Sequence, residues 1–250
     1  MPSRLPGARA LLRLALSLLV STRLAAQAAD STDWASYGRD PGGARRSPLA
    51  QITRDNVARL TVAWRFSTGE AGDTARAVRR TSLEVTPLVI AGTMYVSTPL
   101  GRVYALDARD GRPCTGFGDG GTVRLREGLR IAPAEFGDYE LTSPPAVAGD
   151  VLVVGSAVAD NGRTDMASGE VRGIDARTGA VRWTFHPIPQ DTTDPAWRTW
   201  ERGSARRTGG ANAWSVITAD PARDLVFVPT SSPSPDYFGG ERRAPPGSRP

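Results

Sequence analysis

The feature that most constrains this chain is a unit that recurs along it. Residues 87–97 read Pro-Leu-Val-Ile-Ala-Gly-Thr-Met-Tyr-Val-Ser, and residues 101–111 follow as Gly-Arg-Val-Tyr-Ala-Leu-Asp-Ala-Arg-Asp-Gly. A second copy runs through Pro-Ala-Val-Ala-Gly-Asp-Val-Leu-Val-Val-Gly at 145–155. It continues as Gly-Glu-Val-Arg-Gly-Ile-Asp-Ala-Arg-Thr-Gly at 169–179 and ends on Trp183. A third begins at 215–221 and continues through Leu-Val-Phe-Val at 225–228. Each copy is a strand, a short polar turn and a second apolar strand, and the first two add a third strand closed by Asp-Ala-Arg-x-Gly.

The turn residues have physical roles. Asp175 can accept hydrogen bonds from backbone groups of its own turn, and Gly179 can take the left-handed conformation that closes it. The next strand then brings Trp183 back against the sheet. A small antiparallel sheet of this kind cannot bury both faces alone, so further copies must stack on it. The expectation is an all-β chain built as a β-propeller. The 27 glycines and 20 prolines, spread between short apolar runs, agree with many strands joined by tight turns. The copies are unevenly spaced: the Asp turns begin at 107 and 175, the proline-led starts at 87 and 145.

Composition excludes several classes. Cys114 is the only cysteine, which rules out an intrachain disulfide and a cysteine-cluster metal site. The formal charge of +5, from 31 Lys+Arg against 26 Asp+Glu, is nearly all arginine. No nucleic-acid motif or aromatic-basic interleaving accompanies it, so no nucleic-acid partner is expected. The basic stretch 202–207 reads as a solvated loop rather than an anion site, and the sole histidine, His186, reads as structural. Residues 1–28 read as an export signal: Arg4 and Arg9, an apolar stretch over 11–20, and Ala-Gln-Ala at 26–28. The apolar run is shorter than the ~20 residues a membrane span needs. The expected domain is therefore 29–250, exported to the periplasm or an equivalent compartment, either free there or associated with a membrane.

A family resemblance enters with specific residues. Residues 34–49, Gln51 to Thr53, and 56–64 ending in Trp64 are similar to the opening of the pyrroloquinoline-quinone (PQQ) dependent alcohol and glucose dehydrogenases. The Ala-Arg-Thr-Gly-Ala-Val-Arg-Trp run ending at Trp183 resembles the tryptophan-docking turn that ties their blades together. The motifs at 142–145, 155–161, 183–189 and 233–240 resemble the glucose-dehydrogenase branch more than the methanol branch. The resemblance covers nearly the whole chain after the leader.

What the resemblance implies is an eight-bladed propeller, of which this chain would hold about three blades. PQQ would lie near the axis with a divalent cation, commonly calcium, that polarises its reactive carbonyl. Trp214 matches the tryptophan on which the quinone stacks. Asp160 and Asn161 match an acidic metal ligand and its neighbour. Glu84, Thr142 and Asn212 match positions that contact the cofactor. The implied reaction is oxidation of a sugar or alcohol by hydride transfer to the quinone, with electrons passing to a respiratory acceptor, a quinone or a cytochrome.

Two departures from the family pattern stand out. Between Ser97 and Asp107 the family carries a longer segment that includes a rim arginine, so two units look fused here. The place of Trp183 is taken in the first copy by Thr115, which leaves that docking turn incomplete. The catalytic aspartate of the family lies beyond Pro250, so no residue is assigned as base. On this reading the chain alone is inactive, and an alternative is a non-catalytic PQQ-like propeller-repeat protein serving as an envelope scaffold or interaction module.

Overall fold

The computed structural model describes residues 32–40, 42–70, 81 and 83–240; the expected export signal at 1–28 and the tail at 241–250 lie outside them. The described residues fall into two units. Residues 46–60 belong to one, and the other takes 34–45 and everything from Thr61 onward, including all the strands. In the first unit a short 3-10 turn, Val57–Arg59, is prepared by Asn56. The Asn56 amide donates to the Gln51 carbonyl at 2.7 Å, and its oxygen accepts the Thr53 N–H at 2.7 Å.

In the second unit the recurring sequence becomes recurring sheet. The first four-stranded sheet runs β1 (Leu88–Ile90), β2 (Thr93–Thr98), β3 (Arg102–Asp107) and β4 (Thr122–Arg124), each antiparallel to its neighbour. A two-stranded ribbon pairs β5 (Tyr139–Glu140) with a later strand. The second four-stranded sheet has β6 (Ala146–Ala148) at one edge, then β7 (Val151–Val154). The chain next gives β8 (Ala157–Val158), the partner of β5, and returns to the second sheet as β9 (Val171–Asp175) and β10 (Val181–Phe185). A hairpin of β11 (Thr218–Asp220) and β12 (Leu225–Phe227) follows.

The turns form as their residues dictate. Asp175 Oδ1 accepts the N–H groups of Arg177 and Thr178 at 2.9 and 2.8 Å, and Gly179 sits at φ +73°. Those backbone bonds, with the Arg182 guanidinium, hold the Asp175 carboxyl far below the usual aspartate range. Asp107 builds the same turn in the first sheet, accepting from Arg109 N–H at 2.8 Å.

The second sheet is covered on both faces, which is why β7 reads as a continuous apolar run instead of alternating. Leu152, Val154 and Ile174 face one core shared with Tyr95, Val103, Phe117 and Leu125 from the first sheet and its following loop. Ala146, Val153 and Val171 face the other way, onto Ile217, Val226 and Val228 of the β11–β12 hairpin. That cluster draws on β6, β7 and β9 and takes nothing from β10, where Trp183 is 39% and Phe185 49% exposed. Trp183 nonetheless lies flat on the sheet: a Cβ at Gly173 would come within 2.5 Å of its ring.

The docking expectation for the first copy needs revision. Its turn at 107–111 is closed and covered, by Trp64 rather than by a residue at position 115. The Trp64 indole N–H donates to the Ala108 carbonyl at 3.2 Å, and its ring packs so closely on Gly111 that a Cβ there would collide with it. Tyr95 of the first sheet reaches the second turn: its hydroxyl donates to the Ala176 carbonyl at 2.8 Å. Gly118 N–H adds a bond to Thr178 O at 2.8 Å. Removing that hydroxyl by Tyr95→Phe strands a carbonyl between sheets, so about 1 kcal/mol of stability should be lost. A urea midpoint identical to that of the wild type would show that the two sheets are held by apolar packing alone.

Candidate functional site

Three loop segments converge at one end of the second sheet. After β7 the chain passes through Gly155 and Ser156, makes β8, and reverses at Asp160, whose N–H returns to Val158 O at 2.7 Å. Residues 209–214 are laid across this end by backbone bonds: Gly209 N–H to Thr164 O, Gly210 N–H to Ala167 O, and Gly169 N–H to Gly210 O at 3.0 Å. The segment after β12 closes the third side, with Ser231 N–H on Asn212 O at 2.8 Å, Ser234 N–H on Gly209 O at 3.0 Å and Asp236 N–H on Asp160 O at 3.2 Å.

Side chains then lock the segments. Asn212 is 1% exposed, and its amide donates to Ser156 O at 2.9 Å. Ser231 Oγ lies 2.9 Å from Asn212 Oδ1 and 3.3 Å from Asp160 Oδ2. Thr142 Oγ1 donates to the Trp214 carbonyl at 3.1 Å. Thr142, Asp160, Asn212 and Trp214 are therefore brought together, with Asn161 beside Asp160 on the exposed side. Glu84 is exposed, and its charge is felt by Glu140 at the end of β5, two residues before Thr142.

Trp214 is 56% exposed although Ala213 and Asn212 beside it are buried. Such an indole is not filling a core; it offers a flat apolar face at the mouth of a polar network, as stacking on a planar ring requires. Asp160 is pushed above the usual aspartate range by partial burial and then by the Asp236 carboxylate. Among the described residues no three His, Cys, Asp or Glu converge. The oxygen donors here are one carboxylate with a second nearby, an amide oxygen and a hydroxyl. That set suits a hard, oxygen-seeking cation and not a thiolate- or imidazole-bound one. Ser234 Oγ, buried without a hydrogen-bond partner, packs directly against Gly210, where a Cβ would collide with it. The residues present thus fit a cation beside a flat ligand.

Other candidates resolve as structural. His186 Nδ1 is 3.6 Å from Glu170 Oε1, and buried Glu170 is in turn 3.4 Å from Arg172. Arg206 stacks over Trp197, at 5.4 Å from its ring centre. Burial raises the Cys114 thiol, which keeps it protonated and inert. Sequence reading missed Ser231, Ser234 and Asp236. The available signal was the hydroxyl-rich run Thr-Ser-Ser-Pro-Ser-Pro-Asp at 230–236, placed directly after a strand.

Comparison with known proteins adds to this geometry. A family model described as "PQQ: Glucose/ethanol/alcohol dehydrogenase, beta-propeller domain" matches residues 34–112 and 101–246, the two matches overlapping on β3 and its turn. The quinate/shikimate dehydrogenase (quinone) of Acinetobacter baylyi is 29% identical, covering 85% of this chain and 34% of that protein. That coverage of a 250-residue chain is spread over 286 aligned residues, so the relative carries inserted stretches that this chain lacks. The quinoprotein glucose dehydrogenase of Escherichia coli is 28% identical over 84% of this chain and 33% of its own length. The chain spans about a third of the length of these curated relatives. A solved europium-containing methanol dehydrogenase superposes with a TM-score of 0.50 at 20% identity, covering 81% of this chain and 43% of that one.

Proposed function

This chain belongs to the PQQ-dependent glucose/ethanol/alcohol dehydrogenase β-propeller family, and from that premise we propose that it forms the cofactor-binding part of an enzyme oxidising a sugar, polyol or alcohol. The observation that carries the reading is an exposed Trp214 whose backbone is tied to Thr142 and whose neighbour Asn212 is tied to Ser231 and Asp160. Bound PQQ supplies an electrophilic quinone carbonyl that accepts hydride from the substrate carbon. Toward it, Trp214 would supply the stacking floor and Thr142 a rim hydroxyl. Asp160, with Asn161 or Asn212, would hold the cation, for which calcium is our choice. Glu84, on the segment before β1, would add a further rim contact. The general base is not assigned to any residue of this chain, and the electrons would leave to a membrane quinone or a cytochrome.

We read the chain as a shortened family member. The overlap of the two family matches at 101–112 and the inserted stretches in the quinate/shikimate relative support a fusion of two units near β3. Export to the periplasm, with 1–28 as leader, is part of the same reading. Among the described residues no helix is long and apolar enough to cross a membrane.

The alternative, a propeller-repeat scaffold without catalysis, has no need of an exposed tryptophan on the segment that Asn212 ties to Ser231. Titration with PQQ in the presence of calcium should quench tryptophan fluorescence saturably. The Trp214→Ala chain should bind about tenfold more weakly or worse, since stacking and the buried ring area are both lost. Absence of quenching in the wild type would favour the scaffold.

A further inference from the structure

Ser231 occupies a position that the resemblance does not single out. Its hydroxyl has a single proton and three acceptors in reach, Asn212 Oδ1 at 2.9 Å, Asp160 Oδ2 at 3.3 Å and the Ser232 carbonyl at 3.4 Å, and it accepts the Asn212 backbone N–H at 3.2 Å. The Asn212 amide has no freedom to turn. Its nitrogen must point at the Ser156 carbonyl, 2.9 Å away and buried, so its oxygen must point toward Ser231. Ser231 is itself fixed, because its own N–H is bonded to Asn212 O. The hydroxyl therefore sits between a carboxylate from the loop after β8 and an amide from the segment before β11, on a third segment that is bonded to both.

Asp160 has little else to hold it. The interactions that lower its charge cost are the Ser231 hydroxyl and its own backbone, while the neighbouring Asp236 acts against it. A half-buried carboxylate with one side-chain donor swings when that donor is lost. Groups that orient a metal-binding carboxylate from behind commonly contribute tenfold or more to affinity.

We propose that Ser231 is a positioning residue that sets the Asp160 carboxylate and the Asn212 amide oxygen as a pair facing one cation. This rests on the cofactor-binding reading above. When a cation draws on the carboxylate, the single proton of Ser231 can remain on Asn212; in the cation-free chain it can serve Asp160. The hydroxyl is thus suited to both states without a change of rotamer partner on Asn212 Nδ2.

The test uses the full 250-residue chain and terbium as the hard cation, followed by luminescence sensitised by nearby tryptophan and by competition with calcium. Ser231→Ala is expected to bind terbium about tenfold more weakly than wild type, with a melting temperature in the cation-free state lowered by only about 2–4 °C, the cost of leaving Asn212 without that hydroxyl. Ser231→Thr, which keeps the hydroxyl, is expected to bind within about threefold of wild type. Equal affinity of the alanine and wild-type chains would overturn the inference. So would a threonine variant as weak as the alanine one, or an alanine variant whose weaker binding is fully accounted for by the fraction of it unfolded at the assay temperature. A wild-type chain that binds neither terbium nor calcium would overturn the cation reading itself, an outcome distinct from the other three.

Discussion

The Gly169→Ala chain is expected to lose about 3–5 kcal/mol of stability and its PQQ response together, although it gains only a methyl group. The added Cβ would collide with the Gly210 carbonyl oxygen and lie 2.5 Å from Asn212 Cα and 2.6 Å from Asn212 N. All three obstacles are backbone, so no side chain can turn away. Gly169 N–H also donates to Gly210 O, which holds the two strands at this separation. To admit the methyl, residues 209–214 must move off the sheet, and Asn212 then loses its buried bond to Ser156. Gly155 meets the same segment further along, where a Cβ would lie 2.8 Å from Ala213 Cβ. Gly116→Ala is the matched control, since nothing lies within 4 Å of the position its Cβ would take. Its denaturant midpoint should equal that of the wild type. A Gly169→Ala chain with wild-type stability and quenching would mean that the segment carrying Trp214 is not seated as described.

Much of the fold was legible because it is built from local rules repeated. The Asp-Ala-Arg-x-Gly turns at 107 and 175 specify strand ends that the structure places at β3 and β9. The apolar run at 151–154 could be read as strand, and burial on both faces explains why it does not alternate. The hydroxyl of Tyr95 is a different case. That it bonds the second turn depends on a meeting of residues 95 and 176 that no local pattern encodes. The exposure of Trp183 and Phe185 was equally hidden, since it follows from how far the β11–β12 hairpin reaches across the sheet.

The candidate site divides along the same line. Asp160, Asn212 and Trp214 could be picked out because they match a family pattern, and the fold brings them to one place. Glu84 could be picked out by the same logic, and its charge acts on Glu140, two residues before Thr142. Ser231 could not be singled out: a serine in a Ser- and Pro-rich run is an ordinary turn residue until the backbone of 209–214 is laid against it. Glycines 155 and 169 are in the same position. Their role is a lack of atoms, and only the neighbour that fills the space gives that lack a meaning.

Calcium is expected to stabilise the wild-type chain and to leave the Asp160→Asn chain unchanged, while that substitution slightly stabilises the chain without calcium. The two signs follow from one cause. Burial and Asp236 raise the Asp160 carboxyl above its unfolded value. A raised carboxyl contributes to stability below the unfolded pKa and loses that contribution as pH rises through the folded one. At neutral pH the charged Asp160 is therefore a cost in the cation-free fold, and the neutral amide removes it. A cation reverses the balance, because it binds the folded chain through that charge. Free calcium at a hundredfold excess over its dissociation constant should add about 2.7 kcal/mol. The gain should shrink as the solution is acidified toward the Asp160 pKa, where protons compete for the same oxygens. Melting temperatures of both chains, with calcium and with chelator at two pH values, measure every term. If Asp160→Asn kept the calcium response, the cation would be held elsewhere, and the raised carboxyl would be a cost of the loop's geometry alone.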